Sequence, residues 1–326
     1  MASPNLSEII TTTLRNRTGK LADSVTKNNA LLTRLRTRGK VKPVSGGRTI
    51  VQEIAYAENG TFKRYSGYDL LNITPSDVFT AAEFNYAQAA LAVSISGLEM
   101  LQNSGENALI DLLEQRIDNA NTTLMNNIAV DCYSDGTADG GKQIGGLALL
   151  VPDAPTTGTV GGINRATWTF WRSQKFAGVA DGGAAVTNAN IQSYMNRLYL
   201  LCSRGADHPD LIVADNTYYR LYWESLQAIQ RISKTTDVGQ AGFDSLQFMG
   251  SDVVFDGGFG GGATAAHMWF LNTKYIFFRP HSERNFEPLG GNDGRVPLNQ
   301  DALIKLIGFA GNMTLSNAFL QGVLIA

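Results

Sequence analysis

The sequence predicts an α+β chain: a globule from which a long β arm projects. Three features of the 326 residues carry that prediction. A two-armed β segment spans about 48–56 and 79–96, a single long helix follows at once, and from Asn188 onward helices alternate with short apolar strands.

In chain order, residues 4–38 read as helical pieces broken at Gly19 and at Asn28-Asn29, and residues 39–47, with Pro43 and Gly46-Gly47, read as a linker. On the returning β arm Leu91, Val93 and Ile95 alternate with Ala90, Ala92, Ser94 and Ser96, the period of two that means strand. Phe84 and Tyr86 sit on the opposite parity, so a bulge or sharp twist is expected near 87–89. An arm of about 18 residues reaches on the order of 60 Å, whereas a compact chain of this size has a radius of gyration near ~20 Å. Such an arm is stable only against another molecule, which points to assembly before catalysis. The tip, 58–67, is polar but carries Phe62 and Tyr65.

Ser104 is an expected N-cap with Glu106 in the first turn. Leu109, Leu112, Leu113, Ile117, Ala120, Leu124, Ile128 and Cys132 then recur at helical spacing, and no Gly or Pro intervenes before Gly136. The spacing predicts a helix over 104–133, roughly 43 Å long against a mean of about 11–12 residues. Residues 137–162 read as loop and short strand. Beyond them come a helix near 191–202, strands near 210–214 and 251–256 with a helix capped by Asp215 between them, strands at 267–271 and 275–278, a polar loop over 281–300, and a closing strand pair over 302–325 broken at 308–312.

Bulk properties fit a globular protein, with 44% hydrophobic and 17% charged residues. No stretch is long and apolar enough for a membrane span, and the N-terminus lacks a signal-peptide pattern. Cys132 and Cys202 read as two separate buried thiols in a reducing compartment. The net charge of −2 hides an asymmetry: residues 1–48 carry ten Lys/Arg against Glu8 and Asp23, which leaves 17 basic and 27 acidic residues in the remainder. A basic arm on an acidic body suits contact with a second copy; contact with nucleic acid or a merely solvated face are the other readings. No aromatics interleave with these cations, as a nucleic-acid stacking platform would require. The expected intersubunit residues are Arg34, Arg36, Arg38 and Lys40 in the arm and Lys63, Arg64 and Tyr65 at the loop tip.

No constellation for chemistry emerges. The Gly-rich run 257–263 lacks both the nucleotide-loop ending and the dinucleotide spacing. His208, His267 and His281 are scattered without metal-ligand spacing, no Gly-x-Ser-x-Gly elbow exists, and Asp131 and Asp135 read as a solvated helix end. No catalytic, cofactor-binding or metal residue is expected.

The order of elements resembles the major capsid proteins of tailed bacteriophages along essentially the whole chain. Local runs of similar character are Asn164-Arg165-Ala166-Thr167-Trp168 with Trp171-Arg172, residues 250–256 and 269–275, and Ala310-Gly311-Asn312-Met313-Thr314. The resemblance implies a basic N-terminal arm (1–45), an extended β-hairpin loop (46–96), a peripheral domain with the spine helix (97–187), an α/β axial domain (188–270) and a return to the peripheral domain (271–326). It implies self-assembly into hexamers and pentamers of an icosahedral head that encloses double-stranded DNA without reading its sequence. It further implies a virion subunit made in the host cytoplasm, with scaffold, portal and decoration proteins as possible partners and no membrane. Some relatives carry an N-terminal scaffold region that is later cut away; this chain starts almost at the arm, so a separate scaffold, a prior cleavage or none would serve. Some relatives cross-link a loop lysine to a neighbour's Asn, and Lys63 stands near the tip, although no motif marks a partner. The alternative is an encapsulin-like compartment with the same subunit fold around enzyme cargo. The expectation for the arm is that deleting 1–40 leaves a folded subunit that forms no stable particles.

Overall fold

A computed structural model of the chain describes residues 29–102, 112–227, 246–257, 262–289 and 301–326. Asn29 opens it as a helix cap, its side-chain oxygen accepting from Leu32 N at 2.9 Å, and α1 follows as Ala30–Thr37. Ala30, Leu31 and Leu35 are fully buried, so this part of the arm belongs to the core. The segment expected to be a linker is stitched down as well. Lys42 N donates to Phe278 O and Val44 N to Pro280 O, both at 2.9 Å, which lays residues 40–44 parallel along β11 (Ile276–Leu289). The expectation that deleting 1–40 leaves a folded subunit is therefore corrected: the cut would strip buried apolar side chains and a row of backbone hydrogen bonds.

Strands β1 (Ile50–Ala55) and β2 (Phe79–Phe84) form an antiparallel ribbon with Ile50, Ile54, Ala82 and Phe84 turned inward. The returning arm does not continue as one strand. It breaks at Asn85-Tyr86 and restarts as β3 (Ala87–Ser96), which pairs with β12 (Ala302–Leu315) in a separate sheet of order β11-β12-β3. The parity shift read from the sequence is real but falls just before the expected bulge. Asn312 holds the corner: its amide donates to Asn85 O at 2.7 Å and its carbonyl accepts from Gly145 N at 3.0 Å. The single long arm is thus corrected to a short ribbon plus one strand of a three-stranded sheet.

After a short helix, Gly97–Gln102, the spine helix is described as α2, Leu112–Asp131; the expected cap at Ser104 lies outside the described residues. Ala120, Leu124 and Ile128 form its buried stripe, continued by Cys132 and Tyr133. The chain then doubles back under the helix end, where Leu147 N donates to Cys132 O at 2.8 Å. A Cβ on Gly146 would stand 2.4 Å from Asp131 O, so only glycine lets the backbone pass.

The second layer is a six-stranded sheet of order β6-β13-β10-β7-β9-β8. Its strands are β6 (Gln174–Ala177), β7 (Leu211–Ala214), β8 (Leu246–Phe248), β9 (Ser251–Phe255), β10 (His267–Leu271) and β13 (Gly322–Ile325), while β4 (Thr159–Val160) and β5 (Ile163–Asn164) pair apart as a two-stranded ribbon. Alternate residues serve two cores. Ile212, Val253, Met268, Phe270 and Leu324 pack with side chains of α3 (Ile191–Leu201) and α4 (Asn216–Gln227). Val213, Val254, Trp269, Leu271 and Val323 join the larger core with Leu31, Leu35, Ile128 and Tyr133.

Two sequence readings fail near the C-terminus. Of the expected polar loop, 281–289 is strand, irregular between Pro280 and Glu287, while 290–300 lies outside the described residues. The expected break at 308–312 is absent, because β12 runs through it and β13 belongs to the other sheet. Gly308 and Gly311 mark close approach instead: a Cβ on Gly311 would meet Arg279 O at 2.7 Å.

Candidate intersubunit surface

Between β1 and β2 the chain makes a long loop, 56–78, whose polar groups hold one another. Asn59 Oδ1 accepts from Thr61 N at 3.0 Å, Thr61 Oγ1 at 2.8 Å and Ser76 Oγ at 3.0 Å, and Asp69 Oδ2 accepts from Ser66 N at 3.1 Å. With these turns satisfied internally, the apolar side chains face outward. Phe62, Tyr65 and Tyr68 are exposed, and Leu70 and Ile73 are 90% and 92% exposed. An apolar set of this extent on a loop is what an interaction surface looks like before its partner arrives. The sequence reading stopped at the tip and missed Tyr68, Leu70, Leu71 and Ile73; the signal was an apolar cluster inside a turn-rich segment.

At the base of the loop, Tyr56, Trp168 and Phe170 form a triangle of rings with centroids 5.3, 5.9 and 6.1 Å apart. They line an open cavity of about 550 Å³ with Asp77 and Glu83 on its wall. The platform behind it is rigid for a chemical reason. Arg165, only 1% exposed, donates to Leu149 O at 3.0 Å, Leu150 O at 2.6 Å and Trp171 O at 3.2 Å. Burial lowers its pKa to about 10, so it remains a cation at neutral pH and satisfies three backbone carbonyls at once. Trp171, also buried, donates from Nε1 to Val160 O at 3.0 Å.

The basic residues expected to meet a neighbour divide into two groups. Arg34 is buried and belongs to this chain's own interior, with Nη1 3.2 Å from Asp252 Oδ2 and Nε 3.5 Å from Asp210 Oδ2. Its expected intersubunit role is corrected: the carboxylates of Asp210, just before β7, and Asp252, in β9, pair with its guanidinium. Arg38 also reaches Asp210, at 3.4 Å, but stays half exposed. Arg36 is exposed; Lys40 lies partly buried over the Phe277 ring. At the tip, Lys63 Nζ donates to Leu70 O at 3.2 Å and Arg64 sits over Phe62, 5.6 Å from its centroid, next to exposed Tyr65.

The other end of α1 is held by a buried acid. Tyr133 donates its hydroxyl proton to Asp256 Oδ2 at 2.5 Å, and the backbone amides of Ala30 and Gly262 also point to this carboxylate. Burial pushes the Asp256 pKa up to about 6 in spite of those three donors. His267 stacks on Trp269 and places Nε2 3.0 Å from Asp153, an ordinary structural pair. Among the described residues no three His, Cys, Asp or Glu side chains gather as metal ligands, and burial raises both thiols, Cys132 and Cys202.

No family model and no curated protein matches the sequence. Solved structures do match. The subunit of the cyanophage A-1(L) capsid superposes with a TM-score of 0.70 at 16% identity, covering 95% of this chain and 96% of that one. The fold is that of a phage capsid subunit. The capsid of an empty GTA particle matches at TM-score 0.59 and 11% identity, over 95% of this chain and 94% of the other. An encapsulin, SrpI of Synechococcus elongatus PCC 7942, matches at 0.55 and 10%, over 100% and 95%.

Proposed function

We propose that this chain is a major capsid protein, a structural subunit that assembles through its loop 56–78 into hexamers and pentamers of an icosahedral head around double-stranded DNA. The observation that carries the reading is the combination of a capsid fold along 95% of the chain with an outward-facing apolar loop. Burying several large apolar side chains there, at roughly 1.5–3 kcal/mol each when fully covered, supplies the drive for association that a monomer leaves unused. The role is structural rather than catalytic, and scaffold, portal and decoration proteins are its natural partners in a virion assembled in the host cytoplasm. In this reading residues 30–44 belong to the body, β1–β2 and the loop are the reaching element, α2 with the β11-β12-β3 sheet forms the peripheral part, and the six-stranded layer with α3 and α4 forms the axial part. The intersubunit residues are Arg36, Arg38, Lys40, Lys63, Arg64 and Tyr65, joined by Tyr68, Leu70 and Ile73.

A second reading, an encapsulin-like compartment, draws on the SrpI match, whose TM-score is lower than the cyanophage one. Size-exclusion chromatography with light scattering tests the shared core of both. Large multi-subunit species are expected, and a Tyr68→Ser/Leu70→Ser/Ile73→Ser variant should elute as a folded monomer. A wild-type chain that stays monomeric at every concentration and salt would overturn the proposal.

A further inference from the structure

The parallel run of residues 40–44 along β11 has a chemical consequence. In extended backbone, residues two apart share a face, so Lys40 and Lys42 come to the same side as Phe277 and Arg279. All three cations stand over one ring: Lys40 Nζ 5.0 Å, Lys42 Nζ 5.5 Å and Arg279 Cζ 4.9 Å from the Phe277 centroid. Three like charges anchored on one ring lie on the order of 10 Å apart at most, about one Debye length.

The neighbouring carboxylates are committed elsewhere. Asp210 pairs with Arg34 and Arg38, and Asp207 pairs with Lys274 and accepts from the Tyr275 hydroxyl at 2.8 Å. Among the described residues, none of Lys40, Lys42 and Arg279 forms an ion pair within 4.0 Å. Arg279 donates from Nη2 to the neutral Gln52 side chain at 2.9 Å, and its buried Nε has no hydrogen-bond partner. The pKa of Lys40 is lowered by burial first and then by Lys42, Lys274 and Arg38, with Asp210 pulling it the other way.

We propose that Lys40, Lys42 and Arg279 form an oxyanion cradle that receives a carboxylate side chain from a second copy of this chain, an inference that rests on the shell reading above. A planar guanidinium with two ammonium groups suits a single oxyanion held in place. The partner follows from charge: residues 49–326 carry 27 acidic against 17 basic side chains, so the body of a second copy presents carboxylates in excess. A stacking site for single-stranded nucleic acid would call for accessible aromatics interleaved with the cations, whereas Phe277 is buried beneath the cations it carries.

Zero-length cross-linking tests the cradle. Full-length chain in 15N-labelled and unlabelled form is mixed before assembly, treated with a carbodiimide that joins an amine to a touching carboxylate, and analysed by mass spectrometry. Mixed-isotope peptides linking Lys40 or Lys42 to an Asp or Glu are expected, and these links should be lost when Lys40 and Lys42 are replaced by Met in a variant that keeps its cooperative thermal transition. Mixed-isotope links at other lysines but not at Lys40 or Lys42 would overturn the cradle and leave the shell reading standing. No mixed-isotope links anywhere would bring down the shell reading and the cradle together. Salt-sensitive binding of a short duplex DNA that disappears in the Lys40→Met/Lys42→Met variant, with no mixed-isotope links at those residues, would assign the site to nucleic acid and overturn the proposal.

Discussion

Replacing Arg34 by Met should destabilise the subunit far more than the same change at Arg38, although both reach Asp210. Arg34 is buried and bridges two carboxylates, Asp210 and Asp252, whose side chains are 14% and 5% exposed. Removing the cation takes away the ion pair of Asp252 and one of the two guanidinium partners of Asp210 in a largely dehydrated site, a loss worth about 3–5 kcal/mol for a buried pair. The Arg38 side chain is 47% exposed, and an ion pair of that kind is worth about 0–1 kcal/mol. The expected separation of at least ~2 kcal/mol corresponds to more than a tenfold difference in the unfolding constant. Urea unfolding of unassembled subunits, followed by tryptophan fluorescence, measures both variants against the wild type. Met at position 34 preserves most of the side chain's apolar packing, so the loss reports the charge. Adding Asp252→Asn to the Arg34→Met variant should restore part of the stability. If Arg34→Met lies within ~1 kcal/mol of Arg38→Met, α1 is not held by a buried ion network and the reasoning fails.

Other expected outcomes follow from single sites. The folded-state pKa of Asp256, about 6, stands above its unfolded value near 3.8, so the folded chain binds this proton more tightly. Its contribution to stability is therefore full below pH ~4 and lost as the pH rises through ~6, on the order of 3 kcal/mol in all, and Asp256→Asn should remove that slope in a comparison of pH-stability curves. Gly311→Ala drives a Cβ to within 2.7 Å of Arg279 O and 2.9 Å of Pro280 Cα and should cost about 1–3 kcal/mol by urea unfolding. Deleting residues 1–40 removes buried Ala30, Leu31, Arg34 and Leu35 and should abolish soluble folded protein, read by circular dichroism of whatever is recovered; a native-like thermal transition would contradict the placement of α1 in the core.

The sequence was most legible where one period ruled a whole element. The stripe Ala120, Leu124, Ile128 in α2 and the alternation through Leu91, Val93 and Ile95 in β3 both appear with the expected burial. It misled where a residue type carries two meanings. Gly308 and Gly311 suggested a break but serve close strand approach, and Ser282 to Asn285 suggested a loop but are the exposed, irregular stretch of β11. The change of sheet between β2 and β3 depends on Asn312, more than 200 residues away from Asn85, and no local pattern encodes such a partner. The basic run was read as one surface because charge counting does not distinguish Arg34, which points at Asp252, from Arg36, which points at solvent. The exposed loop was half legible: its polar tip with Phe62 and Tyr65 was recognised, but the apolar residues beyond it signal a function only once the structure leaves them uncovered.

The central claim is that this subunit builds closed shells, and negative-stain electron microscopy of the purified full-length chain tests it most directly. Closed particles of uniform diameter, or rings of five and six subunits, are the result the account predicts. A field of isolated subunits at every concentration and salt, with the exposed loop intact and the chain folded, would contradict it.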